Sequence, residues 1–211
     1  MVLKEYATRE RASDVLADDI AARLRLMLDA NDHVLLVVSG GSSPGLCFKR
    51  LATAELEWSR VYITLTDERC VPADHEASNE RQVREMLMQN NAAAATFVPL
   101  MEDKLKDLAG VPALAIVGMG EDGHFASIFP DLPELDQLLD AENESLTAAV
   151  STSASEYRRK TATFSFLLDS ELVVLLAFGQ TKRAIIEDSA GFPVGYLIAQ
   201  KKTPVEAYWA P

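Results

Sequence analysis

Short apolar runs, each closed by small or polar residues, recur along the chain. His33–Val38, Val61–Leu65 and Leu114–Val117 are too short for helices and rich in aliphatic and β-branched residues, the pattern of strands buried on both faces of a parallel sheet. The same reading predicts strands at Ala162–Phe166, Val173–Phe178 and Val205–Trp209. Between them the apolar spacing turns helical. Leu16, Ile20, Leu24 and Met27 form one stripe of a helix over Ser13–Leu28, and further helical patterns cover Gly45–Ala54 and Glu80–Gln89, the last capped by Ser78 or Asn79. This alternation predicts an α/β fold: a three-layer α/β/α sandwich around a mostly parallel, Rossmann-like sheet, with room for antiparallel pairing late in the chain. No internal repeat or long linker interrupts it, so residues 1–211 are expected to form one domain. Ala92–Ala95 and Glu142–Glu156 read as surface connections.

The ends of the first three strands carry the chemistry, because ligands of open parallel sheets bind past the carboxyl ends of the strands. After Val38 comes Ser39-Gly40-Gly41-Ser42-Ser43-Pro44, then a helix. Glycines let the backbone approach a phosphate closely, and serines add neutral donors. The loop is neither GxGxxG nor a Walker sequence, which disfavours a dinucleotide or ATP and favours a small phosphorylated ligand; alone, it would read as a plain turn of small residues. After Leu65 come Thr66-Asp67-Glu68-Arg69. Arg69 can clamp an oxyanion or phosphate, and Asp67 can accept a sugar hydroxyl or hold Arg69, unless the group is a surface ion-pair cluster. After Val117 the sequence GMGEDGHFASIFP brings Glu121, Asp122 and His124 to the same edge, with Gly123 allowing a sharp turn. That segment is either an active-site loop or a polar turn.

Charge and cysteine content narrow the field. A net charge of −12 argues against nucleic acid and anionic membranes, which require clustered Lys and Arg, but leaves an anionic small molecule open, since local charge decides that. The first residues, MVLKEYATRE, lack the regions of a secretion signal, and no apolar run is long enough to span a bilayer. Cys47 and Cys70 stand in no CxxC or CxxH spacing, so no metal site or disulfide framework is expected, and a reducing cytoplasm suits them. Oligomeric state is left open, with room for a homo-oligomer.

Together the three loops resemble the 6-phosphogluconolactonases, within the larger family that also holds the glucosamine-6-phosphate deaminase/isomerases. SGGSSPGL at Ser39–Leu46 is similar to that family's SGGSTP loop, TDERCVPADHEASN at Thr66–Asn79 to its DERxVP segment, and GMGEDGHFASIFP to its GMGxDGHxASLFP. A fourth likeness is R-x-(S/T)-x-T before a strand ending in G-x-x-K, here Arg159-Lys160-Thr161-Ala162-Thr163 and Gly179-Gln180-Thr181-Lys182. The chain is shorter than most lactonases between Pro133 and Arg158, with Ser43 where threonine is usual and Ser165 where proline is usual.

The resemblance implies hydrolysis of 6-phospho-D-glucono-1,5-lactone, with no cofactor. Lactone opening needs an activated water, a donor for the developing oxyanion and a grip on the substrate. His124 is the expected base, Asp122 its orienting partner, and Asp67 and Glu121 are in reserve. No GxSxG elbow is present, which disfavours an acyl-enzyme. The phosphate is assigned to Gly40, Gly41, Ser42 and Ser43, with Arg159 and Lys182 as charged partners and Arg69 near the phosphate or the lactone carbonyl; Arg158 replaces Arg159 if the register slips by one. Lys182 opens a predicted helix, where a basic residue opposes the helix dipole, and is either an anion ligand or a solvated lysine. His33 and His75 have no comparable setting. Two rivals remain. A deaminase/isomerase would continue its DGH loop toward an IAFNEP-like ending, unlike the FASIFP here, and a non-catalytic sugar-phosphate sensor would need an output module that the sequence lacks.

Overall fold

The computed structural model describes residues 1–211. The chain runs through β1 (Val2–Glu5), α1 (Arg9–Ala30), β2 (Val34–Val38), α2 (Gly45–Leu51), β3 (Val61–Leu65), β4 (Asp67–Arg69), α3 (Asn79–Met86), β5 (Thr96–Phe97) and α4 (Glu102–Lys106). It continues with β6 (Ala113–Gly118), α5 (Leu135–Leu138), β7 (Thr147–Val150), β8 (Arg159–Ala162), α6 (Phe164–Leu168), β9 (Leu172–Phe178), α7 (Gln180–Glu187), α8 (Pro193–Ala199) and β10 (Val205–Ala210).

Seven strands form one parallel sheet in the order β1-β10-β9-β6-β2-β3-β5. Every residue of β2 and β9 is buried, as required of strands covered by helices on both faces. The α/β sandwich expected from the hydrophobic pattern is therefore the one observed. The strand order also places the site. From β2 the chain moves outward through β3 to β5, then returns to lay β6 against the other side of β2. The sheet's topological switch thus lies between β2 and β6, and the loops leaving those two strands flank the crevice where such folds bind ligands. A side-chain bond holds that junction together, the Gly118 N–H donating to Ser39 Oγ at 3.1 Å.

The antiparallel pairing occurs in a separate three-stranded sheet, β4-β8-β7, while β9 and β10 are parallel members of the main sheet. This corrects the strand expected at Ala162–Phe166. The strand is Arg159–Ala162, and the chain turns at Thr163, whose side chain accepts the Phe166 N–H and caps α6. The apolar run FSFLL is a buried helix turn, which a short apolar stretch does not distinguish from a strand. Two surface connections also prove structured. Ala92 is fully buried in a 3-10 turn over Asn90–Ala94, and β7 lies within 142–156. Helix α1 begins earlier than its apolar stripe predicts because its first turn is polar and is capped by Thr8 Oγ1 accepting the Arg11 N–H. No helix is long and apolar enough to cross a membrane.

Candidate active site

A cleft of about 300 Å³ opens over the β2–β6 junction, lined by Ser39–Pro44, Asp67, Arg69, Asn79, Gly118–Gly120, His124, Ala126, Arg159 and Lys182. It brings together residues that the sequence places far apart. A larger depression of about 650 Å³, elsewhere on the surface, is lined by Asp29, Glu55 and Glu57 against the single cation Arg25, a poor setting for an anion.

His124 is fixed from two sides. Its Nδ1 lies 2.6 Å from Asp122 Oδ1, and its ring packs on Phe129 with centroids 4.0 Å apart. A carboxylate only accepts, so Nδ1 carries the hydrogen; Nε2 has no protein partner and is the nitrogen that bears the lone pair in the neutral ring. The chain reaches this geometry through Gly120: a Cβ there would fall 2.3 Å from His124 Nδ1 and 2.4 Å from Asp122 Oδ1, so any side chain would break the pair apart. Ala126, at φ 50°, holds a left-handed conformation that non-glycine residues rarely adopt, and the next residue, Ser127, points its hydroxyl at Asp67. Glu121 is exposed and does not line the cleft.

Asp67 has the opposite environment. It is 5% exposed, and its carboxylate accepts from Ser127 Oγ at 2.6 Å, Thr66 Oγ1 at 3.0 Å and Arg159 Nη1 at 3.2 Å. A carboxylate so occupied is a poor free base. It is better suited to holding Arg159, whose Nε donates to Ser155 Oγ and whose guanidinium lies over the Phe129 ring, 5.4 Å from its centroid. Burial lowers the Arg159 pKa and the Asp67 charge raises it in part, but guanidinium remains charged. Arg159, not Arg158, lines the cleft. Arg69 anchors its Nη1 on the Ala77 carbonyl at 2.7 Å.

The loop after β2 presents donors with one exception. The N–H groups of Gly40, Ser42 and Ser43 and both serine hydroxyls donate to no protein acceptor, whereas the Gly41 N–H donates to Gln82 Oε1 at 2.8 Å. The expectation that Gly41 offers its N–H to a ligand is corrected on that point. Lys182, in the first turn of α7, makes no hydrogen bond or ion pair, and burial lowers its pKa, only partly offset by Glu121. A half-buried unpaired cation at a helix N-terminus is a costly arrangement without an anion beside it. Because its folded-state pKa lies below the ordinary lysine value of 10.5, charged Lys182 opposes folding at neutral pH, and that penalty fades as pH rises through the alkaline range. Lys182→Met is therefore expected to raise the melting temperature of the phosphate-free protein at neutral pH, with the gain shrinking toward high pH, and to reduce stabilisation by added inorganic phosphate. Calorimetric melts across pH, with and without phosphate, check both; a lower melting temperature in the variant would count against a strained lysine.

Three residues of the site were not singled out by sequence: Asn79, read only as a cap, Ser127 and Phe129. Ser127 had a visible signal, a small polar residue inside the apolar run FASIF. No three or more His, Cys, Asp and Glu side chains are grouped to hold a metal ion.

The glucosamine-6-phosphate isomerase/6-phosphogluconolactonase family model matches residues 7–207. The chain belongs to that family. Within it, the chain is 34% identical over 218 residues to the 6-phosphogluconolactonase of Rhizobium meliloti, covering 94% of each protein. It is 35% identical over 224 residues to that of Caulobacter vibrioides, covering 99% of this chain and 97% of the relative. The crystal structure of a 6-phosphogluconolactonase from Shewanella baltica superposes with a TM-score of 0.93 at 35% identity, covering all of this chain and 98% of that one. A monomeric glucosamine-6-phosphate deaminase, at 17% identity and a TM-score of 0.75, shares the family's fold.

Proposed function

We propose that this family member is a 6-phosphogluconolactonase, a carboxylic ester hydrolase that opens 6-phospho-D-glucono-1,5-lactone to 6-phospho-D-gluconate. The observation that carries the reading is a single cleft that holds His124, oriented by Asp122, together with loop donors that meet no protein acceptor and the cations Arg159 and Lys182, suited to a phosphate. Relatives bearing the lactonase name at more than 30% identity along the whole chain support it over the deaminase. Against a sensor stands the Asp122–His124 pair, which binding alone does not require.

In the proposed reaction Gly40, Ser42, Ser43, Arg159 and Lys182 hold the 6-phosphate and so place the lactone carbonyl near His124. Nε2 takes a proton from water as its oxygen bonds to C1, and the charge of Arg69 stabilises the resulting oxyanion. Collapse breaks the bond from C1 to the ring oxygen, which takes the proton back from the imidazolium. The product acid releases its own proton to solvent. No residue is covalently modified and no cofactor takes part. Residues 1–211 act as one domain on a small phosphorylated lactone rather than on nucleic acid. A reducing cytoplasm is supported by two unpaired cysteines, Cys47 and Cys70.

The test is the initial rate on freshly generated phosphorylated lactone, corrected for spontaneous opening, beside the unphosphorylated lactone. A higher kcat/KM on the phosphorylated substrate is expected, since binding energy from a remote phosphate can orient the reacting carbonyl. No rate above background from folded protein sinks the lactonase reading, and ammonia release from glucosamine 6-phosphate would then favour the deaminase.

A further inference from the structure

The first turns of α3 stand directly behind the glycine loop, and nothing in the reaction proposed above uses them. Asn79 and Gln82 are three residues apart, so their side chains leave the helix on one face. Asn79 is 2% exposed; its Nδ2 donates to the Asp67 carbonyl at 2.8 Å, which turns Oδ1 the other way, toward Gly40. The approach is close enough that a Cβ on Gly40 would fall 2.1 Å from that oxygen. Gln82 does not line the cleft, yet its Oε1 accepts the Gly41 N–H at 2.8 Å. Helix α3 is itself tied to β4: Glu68 accepts from the Asn79 and Glu80 N–H groups at 2.8 and 2.7 Å and from Ser78 Oγ at 3.0 Å.

We infer that Asn79 and Gln82 are positioning residues for phosphate recognition, a two-point clamp through which α3 sets the shape of the Gly40–Ser43 loop before substrate arrives. The inference rests on the reading that this loop receives the 6-phosphate. Two adjacent glycines flanked by serines give a segment with wide conformational freedom, and ordering it on binding would reduce affinity. By taking the Gly41 N–H from outside the cleft, Gln82 fixes that peptide and leaves the neighbouring Gly40, Ser42 and Ser43 N–H groups as donors. Asn79 packs against Gly40, its Oδ1 accepting from no protein donor, while its Nδ2 is tied to the Asp67 carbonyl, so the phosphate end of the cleft and the segment that holds Arg159 are in contact with one side chain.

Gln82→Leu keeps the size of the side chain and removes the acceptor, and Gln82→Met serves if the first variant folds poorly. The expected result is a rise in KM for the phosphorylated lactone of about tenfold, the equivalent of about 1.4 kcal/mol, with a smaller change in kcat. The preference for the phosphorylated over the unphosphorylated lactone should fall by a similar factor. A merely structural role would depress both substrates alike, and that outcome, or an unchanged KM, overturns the inference. Calorimetric titration of inorganic phosphate separates this from the function itself: equal affinity in wild type and variants, or no binding to the wild type, overturns the clamp, whereas wild-type failure to turn over either lactone overturns the lactonase reading alone.

Discussion

Replacing His124 by alanine is expected to lower kcat by roughly a hundred- to ten-thousandfold, the range that a positioned general base contributes, while KM for the phosphorylated lactone changes little. The split follows from the assigned roles. His124 is oriented by Asp122 and Phe129, and the groups assigned to the phosphate, on the β2 loop, β8 and α7, make no hydrogen bond to it. Asp122→Asn should fall between the wild type and the alanine variant. An asparagine can still accept from Nδ1 through its oxygen, but it supplies no negative charge to stabilise the imidazolium, and its amino group can instead favour the wrong tautomer. Initial rates for the three proteins, with thermal melts to establish that each is folded, check the ordering. A His124→Ala enzyme that retains most of its kcat would remove the general-base assignment.

The parts of this molecule that could be read in advance are those where a local rule and the tertiary structure agree. Strands β2, β3, β6, β9 and β10 lie within or around their apolar runs because a strand covered on both faces has no polar side to disguise it. The edge strand β1 has no such signature. Only one neighbour pairs with it, and its sequence, Val-Leu-Lys-Glu, mixes polar and apolar residues. FSFLL departs from the expected strand because short apolar runs suit a buried strand and a buried helix turn equally, and the Thr163 cap decides only once the chain direction is known.

The site divides in the same way. His124, Asp122, Arg159 and Lys182 belong to motifs with recognisable chemistry, whereas Asn79, Gln82 and Ser127 act through contacts made only when distant segments meet. Ser127 and Asp67 are 60 residues apart, and Gln82 and Gly41 are 41 apart. No sequence window contains both partners. The same limit explains why Asp67 reads as a reserve base from sequence, although its carboxylate in the fold is engaged by Thr66, Ser127 and Arg159.

That engagement makes Arg159→Met the second substitution with a large expected effect, and one with two separable parts. Removing the guanidinium leaves Asp67 nearly buried, with two hydroxyl donors but no cation within hydrogen-bond reach. Breaking one side of a buried pair costs about 3 kcal/mol or more, a large share of the roughly 5–15 kcal/mol that holds a domain folded. A marked fall in melting temperature is expected. The variant should also lose a charged contact to the phosphate, typically about 1.5–3 kcal/mol, and so raise KM roughly ten- to hundredfold. Adding Asp67→Asn separates the two effects. The amide is neutral and nearly the same shape, so the double variant should recover much of the lost stability, because no unpaired charge remains. Its KM should stay high, because nothing has replaced the cation. Were KM to return along with stability, Arg159 would be a strut for Asp67 and the phosphate would rest on Lys182 and the loop; were the single variant as stable as wild type, the pair at 3.2 Å would contribute little to folding. Thermal melts and steady-state kinetics on the two variants and the wild type distinguish these outcomes, since the effect through Asp67 appears in stability and the effect through the phosphate in KM.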